Sequence, residues 1–123
     1  MAVLTDVMLS IDRSSYPDGS ICSIHYSYTL VCDPQEVQSE IGFSVWCQLW
    51  GQDVLLDQML GELMYDTHTL SARNRQKNSR TFVVPCKILN EDIGRDEIYC
   101  KVCARSSLGV DAEAISPVVK DNF

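Results

Sequence analysis

Apolar and polar side chains alternate with a period of two along most of this chain of 123 residues. The alternation is clearest over residues 3–12, 21–32, 41–50 and 97–105. A period of two places successive side chains on opposite faces of an extended strand, whereas a helical pattern repeats every 3.6 residues. The sequence therefore predicts β-strands almost throughout.

Turn-forming residues separate these strands. The segment 14–20 (SSYPDGS) predicts a turn, because proline presets φ and glycine accepts positive φ. Asp33 and Pro34 predict the end of the second strand, and residues 51–53 predict a hairpin loop. Residues 55–63 carry apolar side chains at helical spacing, so a short helix there is the alternative to a continued hairpin.

The second half of the chain adds strands over residues 61–70, 80–89 and 112–120. Pro85 and Pro117 lie in the last two of these, and proline has no N–H group to donate to a ladder. Both strands are therefore predicted at sheet edges or beside a bulge.

Seven to eight strands separated by turns predict an all-β fold, either a sandwich or a barrel, and we expect a two-sheet antiparallel β-sandwich. No repeat, linker or low-complexity tract divides the sequence, so residues 1–123 are predicted to form one domain. A chain of this size buries roughly two-thirds of its unfolded surface, which suffices without a metal or a disulfide.

The C-terminal third resembles a known class of sandwich. Residues 99–109 (YCKVCARSSLG) and 116–118 (SPV) resemble the last two strands of a fibronectin type III module. Trp46, downstream of Cys32 and upstream of Cys100, resembles the immunoglobulin Cys…Trp…Cys arrangement. The resemblance implies an immunoglobulin-like sandwich, and adhesion or binding rather than catalysis.

Six cysteines and the start of the chain bear on the compartment. The N-terminal segment lacks the basic start and cleavage site of a secretory signal, and no apolar run has the length of a membrane span. With Met1 as the native start, the cytosol is the expected compartment. The cysteines are then expected to be reduced core thiols, and a strand places Cys100 and Cys103 on opposite faces.

Basic residues are concentrated in one segment of an acidic protein. The net charge of −7 disfavours nucleic acid and anionic membranes as partners. Residues 71–80 nevertheless hold four cations and no acid, in what the sequence predicts as a polar loop over 71–79. The four cations are Arg73, Arg75, Lys77 and Arg80. They are candidates for docking an acidic partner, a phosphate or another copy of the chain. The alternative is an ordinary exposed hairpin loop.

Acidic residues gather between residues 90 and 97. The four carboxylates there are Glu91, Asp92, Asp96 and Glu97. They are weak candidates for binding Ca²⁺, which takes six to eight oxygen ligands in loop geometry. Arg95 lies among them, and the spacing matches no calcium loop. A solvated connection between two strands is the alternative.

Two tryptophans share one face of the third strand. Trp46 and Trp50 alternate with the apolar residues of the opposite face, so both faces of this strand are apolar. On an outer face they would bind a sugar ring or a protein, and Trp50 is the binding candidate. A core position is expected for at least one of them.

Catalytic motifs are absent from the sequence. His25 and His68 are the only histidines, and each is expected as an ordinary strand residue. We therefore expect no enzyme and no cofactor, but a protein-interaction or structural module that binds a protein partner or itself. The alternative is a small-ligand domain for carbohydrate or Ca²⁺.

Overall fold

The computed structural model describes residues 1–13, 21–51, 58–59, 66–89 and 96–121. These residues form nine strands and two short helices, in the order β1 (Val3–Arg13), β2 (Ile21–Val31), α1 (Pro34–Gln38), β3 (Gly42–Gly51), β4 (Gln58–Met59), β5 (His68–Ser71), β6 (Arg75–Pro85), α2 (Cys86–Leu89), β7 (Asp96–Ser106), β8 (Asp111–Ile115) and β9 (Val119–Asp121).

The strands form two antiparallel sheets. The first has three strands in the order β1-β2-β6. The second has six, in the order β4-β3-β7-β8, with β5 also paired to β3 and β9 to β7. The predicted all-β fold with two sheets is confirmed.

The core lies between the inner faces of the two sheets, as the alternation predicts. Every second side chain of the central strands is buried there. Strand β2 contributes Ile24, Tyr26, Tyr28 and Leu30; β3 contributes Phe43, Val45, Cys47 and Leu49; β7 contributes Ile98, Cys100, Val102 and Ala104.

Both proline predictions agree with the strand ends. Pro85 is the last residue of β6, which is an edge strand of the three-stranded sheet. Pro117 lies between β8 and β9, so the predicted strand 112–120 is interrupted there. Gly109, in the turn between β7 and β8, has a φ of 81°, a conformation that glycine adopts without steric cost.

The structure also departs from the predicted elements elsewhere. Pro34–Gln38 forms α1, where the sequence predicted only the end of the second strand. Strand β6 begins at Arg75, so the predicted polar loop over 71–79 is wrong, because its polar residues lie largely in an edge strand. The chain also turns into α2 after Pro85, so the strand predicted to continue to residue 89 stops four residues earlier. The turn at 14–20 and most of 52–65 lie outside the described residues, although Gln58–Met59 is strand.

The expectation of six reduced thiols is wrong for one pair. Cys22 and Cys86 form a disulfide across 64 residues of sequence. The other four cysteines, Cys32, Cys47, Cys100 and Cys103, are free and buried. In the described part of the chain, no helix has the length and apolar character that a membrane crossing requires.

Candidate functional site

The outer face of the three-stranded sheet is mostly polar, although Val3, Met8 and Val83 are exposed on it. The outward side chains of β2 have small polar or imidazole groups, whereas its inward side chains form the core. We call this surface the polar face, and its β2 members are Ser23, His25, Ser27 and Thr29.

One end of the polar face contains two of the sequence-predicted cations. Arg75 and Lys77 are alternate residues of β6, so they project to the same side of the sheet. Lys77 lies opposite Thr29 in the strand register. Together with β1 they border an open cavity of about 470 Å³, which we call the basic cleft, lined by Asp6, Met8, Ser27, Thr29, Arg75 and Lys77.

A β-bulge in β1 turns Asp6 toward this cleft. The register between β1 and β2 shifts between Thr5 and Met8, because three steps on β1 oppose two steps on β2. Asp6 has a φ of 53°, which places it in the left-handed region. The extra residue keeps both Leu4 and Val7 in the core. The bulge therefore leaves an acidic side chain beside Arg75 without opening the core.

Asp6 neutralises Arg75 only in part. The Oδ2 atom of Asp6 lies 3.6 Å from Nη2 of Arg75, and the two side chains are 67% and 69% exposed. An ion pair this exposed contributes little, because both groups are well hydrated when they separate. Lys77 adds a second cation to the cleft.

The other end of the polar face holds a carboxylate, an imidazole and a hydroxyl on three neighbouring strands. Nε2 of His25 lies 3.2 Å from Oδ2 of Asp12, and Nδ1 lies 2.8 Å from Oγ1 of Thr81. The side chain of Asp12 is 72% exposed, so water competes for the carboxylate. These two contacts orient the imidazole of His25 on an open sheet face.

The other two predicted cations lie elsewhere. Arg73 is exposed in the short connection between β5 and β6. Arg80 projects to the opposite side of β6 from Lys77, because the two residues are three apart on a strand. The structure therefore brings together Arg75 and Lys77 and separates them from Arg80.

Arg80 belongs to a polar cluster at the edge between the two sheets. Its Nε and Nη2 donate to the carboxylate of Asp66 at 2.6 Å and 3.2 Å, and the hydroxyl of Tyr26 donates to the same carboxylate at 2.6 Å. Tyr28 is hydrogen-bonded to Nε2 of His68. No local sequence pattern indicates this cluster, since its hydrogen-bonded partners are 14 to 40 residues apart.

Burial and hydrogen bonding set the protonation of this cluster. Burial raises the pKa of Tyr28 to about 12, so its hydroxyl stays protonated. Burial, with Arg80 nearby, lowers the pKa of His68, which favours the neutral imidazole. The Nδ1 atom of His68 is buried and has no hydrogen-bond partner in the described part of the chain. The backbone of Asp66 lies near the ring and raises the pKa of His68, but burial and Arg80 outweigh this effect.

Trp46 and Trp50 lie on the outer face of the six-stranded sheet, and both are half-buried. The expectation that at least one is a core residue is wrong, because the opposite face of β3 supplies the core. The ring of Trp50 stacks against Tyr99 with centroids 6.5 Å apart, and Nζ of Lys101 lies 4.7 Å above it. A sugar ring stacking on that face of Trp50 would displace the ammonium.

The acidic candidates for Ca²⁺ are described only in part. Glu91 and Asp92 lie outside the described residues. Asp96 begins β7, where its backbone pairs with Asp121. Glu97 forms an ion pair with Lys120, with Oε1 and Nζ 3.1 Å apart. Within the residues that the structure describes, no three metal-ligating side chains gather closely enough to hold an ion.

No family model matches the chain, and no curated protein matches it. A Northeast Structural Genomics Consortium target, SoR45, is 12% identical with a TM-score of 0.43, over 99% of this chain and 86% of its own. The putative ApaA protein of Bordetella pertussis is 9% identical with a TM-score of 0.38, over 96% and 94% of the two chains. The sporulation control protein Spo0M of Bacillus subtilis is 10% identical with a TM-score of 0.33, over 94% of this chain and 47% of its own. Similarity at this level gives no information on function.

Proposed function

We propose that this domain is a non-enzymatic protein-interaction module that binds an acidic segment of a partner protein in the basic cleft. The observation that supports it is the placement of Arg75 and Lys77 side by side on one sheet face, in a protein whose net charge is −7. A basic cleft on an otherwise acidic protein favours an acidic partner at the cleft.

The spacing of the two cations suits an extended ligand. Alternate residues of a strand lie about 6.8 Å apart, and alternate residues of an extended peptide have the same spacing. Two acidic side chains on one side of such a peptide would therefore meet Arg75 and Lys77 together. Ser27 borders the same cleft and supplies a further hydrogen-bond donor, whereas Thr29 is buried.

The overall charge limits the strength of this contact. An acidic partner is repelled by the molecule as a whole and attracted only near the cleft. Salt at physiological concentration screens charges beyond about 8 Å, so the distant repulsion is weakened more than the contact itself. We therefore expect modest affinity that falls further at high salt.

A matched pair of lysine substitutions tests the proposal. The probe is a fluorescein-labelled ten-residue peptide of alternating glutamate and threonine, and its binding is followed by fluorescence anisotropy at low salt. Lys77→Glu is expected to weaken binding at least tenfold, because it places an acid in the cleft. Lys87→Glu is expected to change binding less than twofold, because Lys87 is exposed in α2 outside the cleft.

The control is matched in charge and residue type. Each substitution takes the net charge from −7 to −9, so any effect of total charge is common to both. Equal losses in the two variants would mean that only total charge matters, and this would overturn the proposal. Failure of the unmodified protein to bind the peptide would overturn it as well.

The alternative is a small-ligand domain, with a carbohydrate on the aromatic strip of Trp46 and Trp50. The half-exposed position of both rings on an outer sheet face favours it. We rank it second, because Lys101 already covers one face of Trp50.

A further inference from the structure

We infer that the acidic partner binds as an added β-strand along the edge of β6 that pairs with no other described strand, extending the three-stranded sheet to four strands. This inference rests on the proposed function and specifies the conformation of the partner. It assigns the backbone of β6, rather than its side chains alone, a role in binding.

The edge of β6 is long and regular. Strand β6 pairs with β2 in continuous register from Arg75 to Pro85, and it is the last strand of its sheet. Among the described residues it forms a ladder with no other strand. Eleven residues span roughly 37 Å, and alternate backbone N–H and C=O groups of an edge strand point away from its sheet. These groups form a template on which an extended segment can pair.

The charge of this edge selects the partner. Strand β6 contains Arg75, Lys77 and Arg80 and no acidic residue. Full-length antiparallel pairing with β6 of a second copy would place Arg80 opposite Arg80, which is destabilising, and would leave Arg75 and Lys77 opposite Pro85 and Val83 with no opposite-charge pair. An acidic strand instead gains opposite-charge pairs, so the edge disfavours self-association and favours an acidic partner.

The sequence of β6 also predicts the order of residues in the partner. Directly opposed side chains of neighbouring strands lie about 4.5–5.5 Å apart, so acidic residues would lie beside Arg75 and Lys77 at one end. At the other end the outward residues are Thr81 and Val83, and Val83 is 64% exposed. There the partner is expected to carry β-branched residues. Pro85 ends the ladder, because it has no N–H group.

Backbone methylation of the probe separates strand addition from side-chain docking. Two versions of the ten-residue glutamate–threonine peptide are made, one N-methylated at every glutamate and the other at every threonine. In an added strand only alternate N–H groups point toward β6. One version is therefore expected to lose at least tenfold in affinity, while the other stays within threefold of the unmodified peptide.

Hydrogen exchange in the protein gives a second readout. On binding the unmodified peptide, alternate amides of β6 are expected to exchange at least tenfold more slowly, because they gain partners. If both methylated peptides bind as well as the unmodified one, strand addition is overturned while the acidic docking site stands. An equal loss of affinity in both methylated peptides also overturns strand addition. Dimers that form through β6 in the absence of peptide would assign the edge to a second copy instead.

Discussion

At the scale of single residues, Asp66 shows how this fold holds a carboxylate close to its core. Its side chain is 15% exposed and receives three hydrogen bonds, two from Arg80 and one from Tyr26. Burial by itself raises the pKa of Asp66, but the hydrogen bonds from Arg80 and Tyr26 outweigh it, so the pKa lies below its ordinary value. The ionised form is therefore the one that the fold stabilises.

This shift predicts how stability depends on pH. A carboxyl group whose folded pKa is depressed contributes stability that is fully present above its unfolded pKa of about 3.9 and is lost as the pH falls through the folded pKa. We expect Asp66→Asn to lower the free energy of unfolding by about 1.5 to 3 kcal/mol at pH 7, as for hydrogen bonds to a charged group. The difference from the unmodified protein should shrink as the pH is lowered from 6 to 2, measured by urea unfolding.

Asp111 provides a matched control for this measurement. It accepts from Nε and Nη2 of Arg105 at 2.7 Å and 3.1 Å, in the same bidentate geometry, but its side chain is 58% exposed. Asp111→Asn is expected to have a much smaller effect on stability at pH 7, because solvent screens the pair. A constant difference between Asp66→Asn and the unmodified protein over the whole pH range would contradict the role given to ionised Asp66.

At the scale of elements, α1 shows a sequence signal that the strand pattern obscured. Asp33 accepts a hydrogen bond from the backbone N–H of Glu36, and the Glu36 side chain accepts one from the backbone N–H of Asp33. This reciprocal capping box, with Pro34 at the start of the helix, is readable as Asp-Pro-x-Glu. The sequence interpretation used Asp33 and Pro34 only to end β2.

Removing the cap tests its contribution. We expect Asp33→Ala to lower the midpoint of thermal unfolding by about 3 to 6 °C, because a backbone N–H of the first turn loses its acceptor. Asp33→Asn keeps an acceptor oxygen at the same position and is expected to recover most of this loss. Equal midpoints for Asp33→Ala and the unmodified protein would show that the helix does not depend on its cap.

The strands that the sequence predicted well are those whose two faces differ. Strand β2 alternates apolar core residues with serine, threonine and histidine, so its extent and its inner face were both predictable. Strand β6 lacks this contrast, because Gln76, Asn78 and Arg80 face the inner side and polar residues also cover the outer side. Strand β3 has the opposite difficulty, since apolar residues on both faces leave open which face is the core.

At the scale of the whole molecule, the candidate site depends on the register of two strands that are distant in sequence. Arg75 and Lys77 were visible as part of a basic segment, but their position beside Asp6, Ser27 and Thr29 follows from the β1-β2-β6 order. The disulfide likewise depends on the register of strands that are distant in sequence. Cys22 lies opposite Val84 in the ladder, which brings it near Cys86, and no local pattern distinguishes these two from the other four cysteines.

The disulfide and the basic cleft lie at opposite ends of β6, so stability and binding should separate on reduction. In the chain-entropy account, a bond closing a loop of this length stabilises the fold by roughly 4 kcal/mol. Reduction is therefore expected to lower the midpoint of thermal unfolding by more than about 10 °C. The Cys22→Ala/Cys86→Ala variant should unfold at a lower temperature that reductant does not change.

Binding should respond differently, because Lys77 and Pro85 are eight steps apart along the paired strand, a span of roughly 27 Å. Below the unfolding transition, the double variant is expected to bind the acidic peptide within twofold of the unmodified protein, measured by the same anisotropy assay. Strand β6 would then keep its register through its ladder with β2 alone. A loss of binding in the folded double variant would instead mean that the disulfide fixes the position of the whole strand, and that the redox state of this one pair controls the cleft at its other end.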